Sequence, residues 1–138
     1  MKREIKFRGK RTDNGDWVYG DLEYNRKNKS TRIHTYTPDG YYDRQHFVVN
    51  DTVGQFTGLL DKHGTEIYED DFLEIGSLMG LITWHPRGYW CIHTAMKDNV
   101  QHHDYNNLGE MLDYAMLKCY DSKVIGNIHG NPELLKEE

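Results

Sequence analysis

Carboxylates, imidazoles and thiols are the side chains in this chain with the chemistry to catalyse or to hold a metal. They are unevenly spread. Glu66, Glu69, Asp70 and Asp71 fall within one short run. A hard divalent cation needs three or more oxygens converging on one point. Asp70 and Asp71 are adjacent, so in an extended segment their side chains face opposite ways. No calcium-loop spacing surrounds them. A local role is favoured: Asp71 accepts backbone N–H groups across a turn, and Asp70 occupies an unusual backbone position. Among the eight histidines the dense group is His102-His103-Asp104, with His85 and His93 upstream. Neither Cys-x-x-Cys nor His-Glu-x-x-His occurs. Asp70, Asp71, His102, His103 and Asp104 are thus metal-ligand candidates by residue type and not by spacing. Cys91 lies between Trp90 and Ile92, and Cys119 follows Lys118. A reactive thiolate needs a polar, electropositive and partly open setting, so both read as reduced core residues of a cytosolic protein. With no phosphate loop or nucleophile elbow, the expectation is a non-enzyme without a cofactor, and a metal-dependent hydrolase using Asp70, Asp71 and His102–Asp104 is the least favoured alternative.

Binding residues are the next candidates. Trp84, Tyr89 and Trp90 belong to one hairpin, where an aromatic face can take a proline-rich peptide or a stacked base. The favoured reading packs Trp84 and Trp90 into the core, with Tyr89 at its edge. The 138 residues carry a net charge of −5, which gives no global footprint for duplex nucleic acid. Locally the picture differs. Ten of the 17 Lys and Arg residues lie in the first 32 positions, and Arg3, Lys6 and Arg8 mark one strand as a candidate phosphate-binding edge. A solvated charged face is the favoured alternative. Leu, Ile, Val and Phe are sparse, while ten Tyr and three Trp supply large apolar faces. A thin aliphatic core completed by a second copy makes homo-oligomerisation the expected association. Nucleic acid is the less favoured partner, and any further protein partner is unspecified. No membrane-length apolar run and no signal-peptide core occur. A cytoplasmic protein of a bacterial cell is expected.

The elements that position these residues are mainly strands. Arg3–Arg8 alternates, with Ile5 and Phe7 on one face. Asn14-Gly15 turns it into a strand over Asp16–Tyr24. Further strands are predicted at 31–37, 46–49, 55–60, 66–68, 72–75, 81–84, 89–92 and 124–128. Gly58, Gly64, Asp71 and Gly126 are the turn formers. Asn107 with Glu110 makes a capping box. Leu108, Met111, Leu112 and Ala115 follow at helical spacing, which predicts one helix over about 107–118. The predicted division is an N-terminal β-rich domain over 1–50 and a second domain over 51–138.

Four segments together resemble the YopX family of phage and prophage proteins: REIKFRGK (Arg3–Lys10), WVYGDL (Trp17–Leu22), the stretch Thr52–Ile75, and VIGNIHGNPELL (Val124–Leu135). The resemblance implies a β-rich α+β fold, an N-terminal antiparallel region followed by a small SH3-like β-barrel with one inserted helix. It implies no catalytic residue. Where the family pattern has Glu-Gly-Asp, this chain has Glu69-Asp70-Asp71. Asp is one of the few residues able to stand in for glycine at positive φ.

Overall fold

A computed structural model describes residues 3–96, 110–113, 117–118 and 121–135. The chain forms two compact units that meet in sequence between Phe56 and Thr57. The predicted break at 50/51 precedes a 3-10 turn over Asn50–Thr52. That turn and the residues up to Phe56 belong with the first unit.

In the first unit, β1 (Phe7–Lys10), β2 (Trp17–Asn25), β3 (Ser30–Tyr36) and β4 (Tyr42–Val48) form an antiparallel meander. The start of β5 (Gly54–Leu60) then pairs with the free side of β1. The sheet curls. The Val49 N–H reaches the Lys10 carbonyl at 2.8 Å and the Thr12 N–H reaches the Phe47 carbonyl at 3.0 Å, so the end of β4 returns to the end of β1. Two glycines permit this. A Cβ on Gly9 would lie 2.9 Å from that of Val48, and one on Gly20 would collide with the His34 carbonyl. Among the described residues of this unit, Ile33, Val48 and Phe56 are the buried apolar ones, a small core for a sheet this size.

In the second unit, the latter half of β5 forms a hairpin with β6 (Glu66–Tyr68) through the turn at Asp61–Gly64. An antiparallel sheet follows, in the order β10-β9-β8-β7-β11. Its strands are β7 (Asp71–Ile75), β8 (Leu78–His85), β9 (Tyr89–Met96), β10 (Glu110–Met111) and β11 (Ser122–Asn127). Both faces are covered. Leu73, Ile75, Ile82 and Ile92 pack with Ile67, Leu112 and Leu117 on one side. Phe72, Met79 and Leu81 pack with Ile125, Ile128 and Leu134 on the other. Residues of β7 therefore lack a solvent face, and polar–apolar alternation fails there. Burying each such side chain contributes about 1.5–3 kcal/mol.

Two expectations need correction. The protein is mainly β with two antiparallel sheets, but the described strands form no closed SH3-like barrel: β10 and β11 are the two ends of an open sheet. The predicted helix also gives way to a strand at Glu110 and Met111, although Leu117 and Lys118 within its span are helical. Glu110 and Met111 pair with Ile92 and Cys91 as an edge strand. Met111 is exposed while Leu112 is buried, the alternation of a strand and not one helical face. An open β9 edge offers backbone hydrogen bonds that outweigh a local helical preference. A helical turn closes later, where the Leu117 N–H donates to the Asp113 carbonyl. Asn107, Leu108 and Ala115 lie outside the described residues.

Candidate functional site

Alternation along β2, β3 and β4 sends Tyr19, Asp21 and Glu23, Arg32, His34 and Tyr36, and Tyr42, Gln45 and Phe47 to one outward face, by their cross-strand register. Their side chains interlock. The Glu23 carboxylate bridges the Arg32 guanidinium and His34 Nε2. Arg32 also donates to Gln45 Oε1 at 3.1 Å and lies over the Phe47 ring at 5.4 Å. His34 Nδ1 is 3.2 Å from the Tyr42 hydroxyl. Tyr36 meets Tyr42 edge to face at 5.8 Å. The Tyr36 hydroxyl donates to Asp21 Oδ2 at 2.8 Å, and that bond holds its pKa above the ordinary phenol value. Tyr19, Tyr36, Tyr42 and Phe47 nonetheless stay about half exposed, at 46, 48, 55 and 52 %. Tyr, Arg and Phe fixed in one array are the composition of an interface core.

The predicted basic edge is built differently from a row of solvated cations. Arg8 is buried, with its guanidinium 4.6 Å from the centre of the Trp17 ring. Lys10 approaches the same ring at 5.5 Å. Lys6 lies over Phe56 at 5.2 Å and pairs with Glu4. Cation–π stacking draws these charges onto aromatic faces. Arg3 is exposed. At the end of β1, Arg11 forks onto both oxygens of Asp13, which lowers the Asp13 pKa. Arg11, Asp13, His46 and Phe47 help line a cavity of about 230 Å³. Burial lowers the pKa of His46, and the charges of Arg11 and Arg44 act in the same direction.

The acids of the second unit hold backbone. Asp71 is buried and accepts the Tyr68 N–H at 2.7 Å. Asp70 has φ 71°. Its N–H donates to the Ile82 carbonyl, its carbonyl accepts the Ile128 N–H, and its carboxylate lies 3.1 Å from His129 Nε2. Gly58 and Gly64 have φ of 85° and 86°, and Gly126 has φ 156° beside the Asn131 side chain.

Asp61 is the acid that sequence reasoning passed over. It is buried, and one carboxylate oxygen accepts the His63 and Thr65 N–H groups at 2.8 and 2.9 Å. The other accepts the Val124 N–H at 2.9 Å. An Asp opening a turn signals the first two bonds. Nothing local signals Val124, or the link between Asp70 and His129.

On the β8–β9 hairpin Trp84 and Trp90 meet edge to face at 4.8 Å. Trp90 packs on the core, but Trp84 is 50 % exposed, which corrects its expected burial. Tyr89 stacks on buried His85 with ring centres 4.3 Å apart. Cys91 is fully buried as a free thiol, 3.2 Å from Thr83 Oγ1 and 3.7 Å from His93 Nε2. Cys119 and the group His102, His103 and Asp104 lie outside the described residues. Among those described, no three His, Cys, Asp or Glu side chains gather as a metal site.

The sequence matches the YopX protein family over residues 6–136, nearly the whole chain. Among solved structures it is similar to the crystal structure of protein EF1440 from Enterococcus faecalis, with 24% identity and a TM-score of 0.56. That alignment covers 98% of this chain and 100% of that one. At this identity the likeness concerns fold. No curated protein matches the chain.

Proposed function

We propose that this chain, which belongs to the YopX family, is a non-enzymatic protein-interaction module that self-associates through its N-terminal sheet. The carrying observation is the outward face of β2–β4. There, half-exposed Tyr36, Tyr42 and Phe47 are already held by Asp21, His34 and Arg32, with Arg32 itself paired to Glu23, and half-exposed Tyr19 lies on the same face. A surface ordered before contact loses little side-chain entropy on binding. A second copy also supplies the burial that a core of Ile33, Val48 and Phe56 leaves wanting. The absence of catalysis is supported by where the reactive groups sit. Asp61 and Asp71 are occupied by backbone amides, and the Cys91 thiol has no exposed surface. Resemblance to phage and prophage proteins supports a role inside a bacterial host cell. No helix among the described residues is long and apolar enough to cross a membrane. Light scattering on the full chain at micromolar concentration tests the reading. A mass of two or more subunits is expected, and a strict monomer overturns it.

A further inference from the structure

The hairpin between β2 and β3 ends in the sequence Asn25-Arg-Lys-Asn-Lys-Ser30, which holds three cations and no acid. Arg26, Lys27, Asn28 and Lys29 are all exposed. Among the described residues none of the three cations enters an ion pair. In this respect the tip differs from β1, whose cations lie against aromatic rings.

The tip backbone is pinned. Asn25 Oδ1 accepts the Lys27 and Asn28 N–H groups at 3.0 and 3.3 Å, and the Lys29 N–H donates to the Asn25 carbonyl at 2.7 Å. Asn28 Oδ1 accepts both the Ser30 N–H and its hydroxyl. From outside the hairpin, Asn50 Nδ2 donates to the Lys29 carbonyl at 2.8 Å, and Asn50 Oδ1 accepts the Thr31 hydroxyl at 2.7 Å. Lys29 itself has φ 61°. Its left-handed backbone closes the hairpin, yet glycine and asparagine fill such positions with least strain. The choice of lysine there keeps a third cation on a rigid tip.

We propose that this tip is a phosphate-binding finger for duplex nucleic acid, reading the backbone and not the base sequence. Three features select that ligand. The six residues carry no aromatic or aliphatic anchor, which a protein partner's hot spot would want. Three cations fall short of the four to eight that hold a segment to an anionic membrane. Densely and regularly spaced phosphates suit a rigid group of cations with amide and hydroxyl donors beside them. Burial and stacking of Arg8 weaken the candidate edge of Arg3, Lys6 and Arg8 and move the better position to Arg26, Lys27 and Lys29.

The test is a titration of the full chain against a labelled DNA duplex of arbitrary sequence, from 50 to 200 mM salt. Three neutralised phosphates predict a log–log slope near −2.7, an affinity loss of about 40-fold over that range. R26Q/K27Q/K29Q should abolish the salt-dependent binding and leave the subunit mass of the protein unchanged. Lys29→Gly is the sharper variant, because its two effects have opposite signs. Its melting temperature should hold or rise, while the salt slope should shrink by about 0.9. The proposal is overturned if the wild type shows no salt-dependent DNA binding, or if the triple variant binds as the wild type does. It is also overturned if anionic vesicles bind and the duplex does not. If the triple variant instead falls apart into monomers, the tip belongs to the contact between copies and this assignment fails.

Discussion

The two units solve opposite problems. The second turns its polar groups inward and satisfies them: Asp61 ties the Asp61–Gly64 turn to β11 through Val124, Asp71 caps Tyr68, and buried Ser122 accepts the Lys62 N–H while donating to the Leu117 carbonyl. Around these lie two apolar clusters, one on each face of the sheet. Among its described residues the first unit has three buried apolar side chains and places most of its aromatics on the outside. Acid-rich sequence thus marks the unit with the larger described core, and basic, tyrosine-rich sequence marks the unit proposed here to meet a second copy. Residues 57–138 hold 14 acids against 6 cations and residues 1–56 hold 8 against 11, net −8 and +3.

The contrast can be broken most forcefully at Asp61 and Ile33. Asp61→Ala strands three backbone N–H groups. His63 and Thr65 are exposed and Val124 is half-buried, so water offsets part of the loss; at about 1 kcal/mol for each hydrogen bond the cost is about 3 kcal/mol, a large fraction of a marginal domain's stability. Asp61→Asn, which keeps one acceptor oxygen, should fall between the variant and the wild type in a urea titration. Next comes Ile33→Ala, which empties the centre of the small core. It should cost about 2–5 kcal/mol, seen in the same titration as an early loss of the first unit.

Surface changes should separate association from stability. Tyr42→Ser with Phe47→Ser should change the unfolding free energy by no more than about 0.5 kcal/mol while lowering the sedimenting mass. An equal loss in both readouts would mean that these rings support the fold itself. A smaller effect is expected at Asp70. Glycine there relieves a left-handed residue, worth about 1 kcal/mol, but gives up a partly exposed contact to His129, worth about 0–1 kcal/mol. Asp70→Gly should therefore be close to neutral by calorimetry, and His129→Ala mildly destabilising.

The smallest effect is a pH dependence at His46. Its folded pKa is lowered by burial from a reference of 6.5, so the unfolded chain takes up the proton first. The contribution is fully present above pH about 6.5 and is lost as pH falls through the folded value. His46→Gln should flatten the acid side of the stability profile below that pH, as read by thermal melts.

Particular residues show why sequence carried part of this and not the rest. Ile33 with its charged neighbours Arg32 and His34 announces a half-buried strand, and Asn14-Gly15 announces the turn before it. The left-handed conformation of Asp70 follows from a missing glycine. By contrast Phe72-Leu73-Glu74-Ile75 is buried on both faces and carries no period that names a side. Met111 and Leu112 fit a helix until the open β9 edge claims them. Asp61 to Val124 and Asp70 to His129 join residues 63 and 59 positions apart, distances over which one sequence gives no pairing. Aromatic size suggests burial for Trp84, while its strand position leaves it half exposed.

Sedimentation equilibrium of the full chain, run beside the Tyr42→Ser, Phe47→Ser variant at equal micromolar concentration, tests the outward-facing sheet most directly. Discrete multiples of 16.3 kDa for the wild type and a single 16.3 kDa species for the variant are predicted. A wild type that sediments as one subunit, or a variant that keeps its partners, contradicts the assignment.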